Sequence, residues 1–187
     1  MEKNARIPRI NRGETGLLVI DIQQKLLPQI FEKEQLIAKT VLLAKSAQIL
    51  GVPVFVTEQY RKGLGLTDPQ VAASISPFNP IEKVTFSACS AEGLMPGMRQ
   101  KNIRTALLCG IETHICVLQT CLDLLEQQFQ VFVVADAVSS RTSENVRAGL
   151  DRMREAGATI ATTEMVLFEL LGRAATDEFK QVLALVR

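Results

Sequence analysis

Residues 104–121, RTALLCGIETHICVLQTC, decide how this chain is read. An apolar run, Ala106–Cys109, breaks at Gly110, and a short polar segment follows. Helical periodicity begins near Cys116, with Val117, Leu118 and Cys121 apolar. The pattern predicts strand, sharp turn and helix. Such a turn puts the first helical residues beyond the carboxyl end of a sheet strand, where free backbone N–H groups and the helix dipole favour negative charge. Cys116 is expected there. A thiol so placed can ionise below its free pKa of about 8.5, and the thiolate is the nucleophile.

Working outward, GLLVID (Gly16 to Asp21) is a short apolar run closed by a carboxylate, which suits a buried parallel strand with Asp21 at the rim of the sheet. A helix is predicted from about Glu34 to Leu50, ended by Gly51 and Pro53. Val52 to Tyr60 is the second strand, with a polar tail of Thr57, Glu58, Gln59 and Tyr60. The Gly- and Pro-containing stretch after it reads as an active-site loop with one helical turn. Glu82 to Ala88 is expected as a third strand carrying Lys83, followed by a helix around Gly93 to Lys101. After the opening stretch, Gln130 to Ser140 is the fifth strand. Ser143 is a candidate N-cap for a helix stopped by Gly157, ATIATT is the last strand, and Thr163 to Leu171 and Asp177 to Val186 are helices.

The alternation of strands and helices predicts a three-layer α/β/α fold, Rossmann-like, with a six-stranded parallel sheet of order 3-2-1-4-5-6 and one domain over residues 1–187. Ligands collect at the carboxyl edge of such a sheet where the strand order reverses, between strands 1 and 4. That juxtaposition pairs Asp21 with Cys116 across a long stretch of sequence. Lys83 lies on a strand farther out, and a cation near the pair would favour both anions.

Composition narrows the function classes. With 47% hydrophobic and 22% charged residues the chain matches an ordinary globular protein. The formal net charge is +1, and Lys and Arg are interspersed with Asp and Glu, so neither a nucleic-acid footprint nor a polybasic membrane patch is expected. The first ten residues, MEKNARIPRI, lack the apolar stretch of a signal peptide, and no run reaches membrane-spanning length, which predicts a cytoplasmic protein. The four cysteines form no CxxC pair and are expected as free thiols. GLLVID continues into DIQQ without a GxGxxG turn, which disfavours a dinucleotide site. His114 is the single histidine, and it stands two residues before Cys116, a spacing that points side chains to different faces of a helix. It is read as lining the pocket and not as the base. Glu58, Gln59, Tyr60 and Arg61 are candidates to line the substrate pocket, and Phe86 and Phe78 could supply apolar wall.

The segments LLVIDIQ with Asp21 and Gln23, EKVTFSA with Lys83, LCGIETHICVLQT with Cys116, VVADAVSSR and AGATIATTEMVLFELL resemble the isochorismatase-like (cysteine hydrolase) family over nearly the whole chain. VTEQYRKGLG (Val56 to Gly65) is similar to its isochorismatase domain-containing branch. The resemblance implies a catalytic triad of Asp21, Lys83 and Cys116, an oxyanion hole of the backbone N–H groups of Glu112 and Cys116, and a non-proline cis peptide between Ile111 and Glu112. It adds Gln23 to the pocket residues Glu58, Gln59, Tyr60, Phe86 and His114. It also implies a small-molecule substrate and a homo-oligomer, a dimer or tetramer. The nicotinamidase branch holds zinc through an Asp-x-His and a second His; one histidine cannot supply that set, so no metal and no cofactor are expected. Three functions follow from these features. The first is hydrolysis of a C–N bond in a small amide or carbamoyl compound through a thioester. The second is vinyl-ether hydrolysis, whose enzymes lack the cysteine. The third is a silent binding or assembly protein on the same fold, for which a full triad has no chemical use.

Overall fold

The computed structural model describes residues 7–186. The part of the amino-terminal stretch read for a leader that falls at residues 1–6, and the last residue of the expected domain, lie outside the described residues. The central sheet has six strands: β1 (Thr15–Ile20), β2 (Val54–Gln59), β3 (Ile81–Lys83), β4 (Thr105–Ile111), β5 (Gln130–Ser139) and β6 (Thr159–Ala161). Their spatial order is β3-β2-β1-β4-β5-β6, and every pairing is parallel. β1 lies between β2 and β4, so the order reverses on either side of the strand that leads into Asp21.

All six residues of β1 are buried because alternate side chains enter two separate cores. Leu17 and Val19 join Leu107, Cys109 and Phe132 on one face, against Leu36, Leu43 and Ala47 of α1 (Lys33–Ile49). Val166, Leu167 and Leu170 of α7 (Thr163–Leu171) and Val182 of α8 (Asp177–Val186) complete that layer. Leu18 and Ile20 join Leu108, Val131 and Val133 on the other face. That side is covered by Leu94 and Met98 of α4 (Leu94–Gln100), Leu124 of α5 (Leu118–Glu126) and Met153 of α6 (Ser143–Glu155). Burying each such aliphatic side chain is worth about 1.5–3 kcal/mol, which is why a strand that is apolar from Gly16 to Ile20 stands at the centre.

Four local expectations are corrected. Gly110 does not end the fourth strand: β4 runs on to Ile111, with Gly110 at φ +117° inside it. A Cβ there would lie 2.1 Å from the Ile20 carbonyl oxygen, so the residue is glycine because β1 and β4 close on each other at their carboxyl ends. The third strand is only Ile81–Lys83, shorter than Glu82 to Ala88, because the chain after Lys83 turns back around that residue's ammonium group. The helix after β4 opens earlier than Cys116, as a π-helical turn over Thr113–Val117 that passes into α5. Finally, the cap of α6 is Thr142, whose side chain accepts the Asn145 N–H, and Ser143 is the first helical residue. The loop after β2 carries two short helices, α2 (Arg61–Leu64) and α3 (Pro69–Ala73). Among the described residues no helix is long and apolar enough to cross a membrane.

Candidate active site

Asp21 follows the last residue of β1 with φ +53°, a left-handed conformation that turns the chain off the sheet edge. Its N–H still bonds the Thr57 carbonyl, at 3.2 Å. The carboxylate is completely buried. Thr57 Oγ1 donates to Oδ1 at 2.7 Å and Lys83 Nζ donates to Oδ2 at 2.6 Å. Lys83 reaches in from β3, two strands away, and its side chain is fully enclosed. Its ammonium also meets Gln59 Oε1 at 2.7 Å and the carbonyls of Thr85 and Phe86, each at 3.1 Å. Every hydrogen-bond partner of Nζ among the described residues is therefore an acceptor. The Cys116 thiol is buried on the π-helical turn beyond β4, and the Asp21 carboxylate, the Lys83 ammonium and the Glu112 backbone amide all act on its sulfur.

The turn that carries Cys116 is held from several directions. The peptide bond entering it, Ile111–Glu112, is cis. The Glu112 carbonyl accepts from the N–H groups of Ile115 (3.0 Å) and Val117 (3.2 Å). Arg141 Nε bonds Glu112 Oε2 at 2.9 Å, and His114 Nδ1 lies 3.0 Å from Ser140 Oγ, so both residues just beyond β5 grip the turn. Thr120 is wholly buried; its hydroxyl donates to the Cys116 carbonyl at 2.7 Å and accepts the Ala88 N–H at 2.9 Å. α6 approaches closely because residue 149 is glycine: a Cβ there would sit 3.0 Å from the Thr113 carbonyl oxygen.

The structure brings Asp21, Lys83, Cys116 and Glu112 together and separates the remaining candidates by role. Gln23 is fully buried and spends its amide on the chain, donating to the carbonyls of Gln59 (3.0 Å) and Gly65 (2.6 Å) and accepting the Gln59 N–H at 2.7 Å. Glu58 is also buried, accepting from the Thr67 N–H (2.8 Å) and hydroxyl (2.7 Å) and from Arg61 Nε at 2.5 Å. Both hold the loop after β2 and present no free polar atom of the kind a pocket wall would use. Tyr60 and Phe86 are half exposed, as that role allows, whereas Phe78 packs against the core beside α1. His114 is turned to Ser140.

The isochorismatase domain matches residues 15–165, from the first residue of β1 into α7. The chain belongs to the isochorismatase family. Isochorismatase domain-containing protein 2 of Pongo abelii is 38% identical over 184 residues, 96% of this chain and 86% of the relative. The secreted isochorismatase effector Isc1 of Phytophthora sojae is 38% identical over 188 residues, 97% of this chain and 89% of the relative. Among solved structures, a MAR1 ribonuclease from Caenorhabditis elegans superposes with a TM-score of 0.89 at 38% identity, over 96% of this chain and 92% of the other. These relatives place the chain in the isochorismatase domain-containing branch, and one of them carries a name that puts it outside the cell.

For this member of the isochorismatase family the electrostatics overturn one expectation. Cys116 does not rest as an acidic thiol: burial and then the Asp21 charge push it up to about 12, against the lowering effects of Lys83 and the Glu112 amide. Burial likewise drives Cys109 and Cys121 to about 12 and Cys89 to about 11. Resting acidity therefore does not mark Cys116 among the four. What marks it is the Asp21 charge acting on its sulfur, from a carboxylate whose own proton affinity burial has raised in spite of the Lys83 charge and the hydrogen bonds to it. Losing the thiol proton to solvent would leave two anions facing one ammonium. Passing it to Asp21 leaves the charge of the site unchanged.

Reading the sequence missed Thr57, Thr120, Ser140 and Arg141. Two signals were present. Thr57 is paired in register with Ile20, the residue before Asp21, and Thr120 stands four residues after Cys116, the spacing at which a threonine hydroxyl bonds back to a helical carbonyl. Among the described residues no three His, Cys, Asp or Glu side chains cluster so as to hold a metal ion.

Proposed function

We propose that this isochorismatase-family protein is a metal-independent cysteine hydrolase that cleaves the C–N bond of a small amide or carbamoyl compound. The observation that carries the reading is the Asp21 carboxylate, buried between the Lys83 ammonium at 2.6 Å and the Cys116 thiol. Asp21 takes the thiol proton as the sulfur attacks the carbonyl carbon, forming the C–S bond and an oxyanion. The backbone N–H groups of Glu112 and Cys116 hold that oxyanion; one such donor is worth on the order of a hundredfold or more in rate. Protonated Asp21 then gives its proton to the leaving nitrogen as the C–N bond breaks, which leaves a thioester on Cys116. Water attacks the thioester while Asp21 accepts its proton, and return of that proton to the departing sulfur restores the thiol. Lys83 stays put throughout as the counter-charge that lets a carboxylate exist in a dry site.

A panel of small neutral amides and carbamoyl compounds tests the reading by intact-protein mass spectrometry. The expected result is an acyl adduct confined to Cys116 and turnover abolished in Cys116→Ala. Turnover that survives in Cys116→Ala would overturn it.

RNA cleavage is a second reading, favoured by the name of the C. elegans relative. Labelled RNA separates the two: cleavage that disappears in Cys116→Ala, with no acyl adduct on any amide, would favour the ribonuclease.

A further inference from the structure

We infer that Gln59 is a positioning residue of the Asp21–Lys83–Cys116 site, fixing the direction of the Lys83 ammonium, and does not contact the substrate. The inference rests on the hydrolase reading above. Gln59 is the last residue of β2, and Lys83 is paired with it in register on β3. Its side-chain amide is oriented at one end, because Nε2 donates to the Val84 carbonyl at 2.9 Å. Only the oxygen can then face Lys83, and Oε1 accepts from Nζ at 2.7 Å. A flipped amide would set an N–H₂ group against an ammonium and leave the Val84 carbonyl without its donor.

The backbone of Gln59 is equally constrained. Gln23 clasps it on both sides, accepting its N–H at 2.7 Å and donating to its carbonyl at 3.0 Å, and the next residue's N–H bonds the Lys83 carbonyl at 2.7 Å. A chain of contacts thus runs from Gln23 through Gln59 to the lysine nitrogen. Lysine is a flexible stem ending in a point charge, and its direction comes only from the acceptors around it. The carbonyls of Thr85 and Phe86 lie two and three residues from Lys83 on its own loop. Gln59 is the one neutral side chain that anchors the ammonium from a different strand. It keeps Nζ on Oδ2 of Asp21 while Thr57 holds Oδ1, so the carboxylate meets the Cys116 thiol in one orientation.

Because Gln59 is neutral, Asp21 is the single carboxylate on Nζ among the described residues. Replacing the amide by a carboxylate puts a second anion on the same ammonium, and two carboxylates sharing a site raise the proton affinity of one of them. The test is the pH dependence of Cys116 alkylation by iodoacetamide, read by peptide mass spectrometry with Cys89 as the internal standard. In wild type the rate should fall on the acid side as the proton-accepting carboxylate is neutralised. In Gln59→Glu, which is isosteric, that acid limb should move up by about one pH unit or more. In Gln59→Asn, which keeps the amide on a stem shorter by one methylene, the plateau rate should fall about tenfold with the limb unmoved. A residue that only held the loop together would not move the limb. A wild-type limb in Gln59→Glu, with Cys116 still acylated by the panel amides, overturns this inference and leaves the hydrolase reading standing. A wild-type Cys116 that takes up no acyl group from any amide of the panel overturns the hydrolase reading itself.

Discussion

Lys83→Met removes the cation and keeps a stem of similar length, so it isolates what the buried charge does for stability. Asp21 is completely buried and its partner's side chain is fully enclosed, so no solvent can replace the lost ammonium. Removing one partner of such a pair costs about 3–5 kcal/mol. The structure sets a ceiling on the electrostatic part, because Asp21 can escape by taking a proton. From an ordinary value of 3.8, holding it neutral at pH 7 costs 7 minus 3.8 pH units at about 1.36 kcal/mol each, or about 4 kcal/mol. At pH 5 the same arithmetic gives about 2 kcal/mol. The carbonyls of Thr85 and Phe86 and the Gln59 oxygen also lose their donor, a further loss of about 1–3 kcal/mol that does not change with pH.

The sign of the pH dependence follows from the direction of the Asp21 shift. Its folded proton affinity is raised above that of the unfolded chain, so its contribution to stability is fully present below about 3.8 and is lost as pH rises through the folded value. Lys83→Met raises the folded value further and extends that loss to higher pH. Urea unfolding of wild type and variant at pH 5, 6 and 7 should show a destabilisation that grows with pH, by at most about 3 kcal/mol across the range. Asp21→Asn added to Lys83→Met should flatten that dependence. A Lys83→Met penalty that is constant from pH 5 to pH 7 would refute the claim that Lys83 compensates a charged, buried Asp21.

Asp21→Asn alone should lower amide turnover by about 10²- to 10⁴-fold, the usual contribution of a positioned proton acceptor, measured as kcat/KM on whichever panel amide is hydrolysed. The acid limb of wild-type kcat/KM should lie above 3.8, because the working carboxylate has a raised proton affinity. Thr120→Val should lose about 2 kcal/mol of stability in a thermal melt, since it orphans the Ala88 N–H and the Cys116 carbonyl, and Thr120→Ser should restore it. Gly110→Ala should lower the melting temperature sharply, with at least about 2 kcal/mol lost, because the new Cβ would meet the Ile20 carbonyl at 2.1 Å in a backbone conformation that side chains resist.

The sheet was legible because both faces of its central strands are buried. Continuous apolar runs such as Gly16 to Ile20 and Val131 to Val134 leave no alternative to covered parallel strands, and Asp21, the polar residue that ends the first run, marks the carboxyl edge. The Asp21–Cys116 pairing followed from that edge and the strand order alone. Lys83 could not be found that way. Its strand is three residues long and two places away, and only the length of its side chain and the fold-back at Thr85 and Phe86 bring it in. Glu58 and Gln23 illustrate a different limit. Their polar types and positions at strand ends suit substrate contact and internal bracing equally, and only the hydrogen-bond partners distinguish the two.

The thiol is the point at which local reasoning failed for an instructive cause. A helix start does favour an anion, but that effect is worth about 0.3–1 kcal/mol, rising to about 2 in favourable geometry. Burial and an adjacent carboxylate outweigh it and take Cys116 to about 12. A free thiolate would also be the wrong resting state for this chemistry. The proposed hydrolysis needs a proton to hand to the leaving nitrogen, and a site that had already lost its thiol proton to solvent would have none to give. In the proposed hydrolysis, keeping one proton between Asp21 and Cys116 beside the Lys83 cation would make the proton that leaves the nucleophile the one that later reaches the leaving group. Dryness, which raises both proton affinities, is then the condition that keeps this proton in the site, and the buried Lys83 is what makes dryness tolerable to a carboxylate.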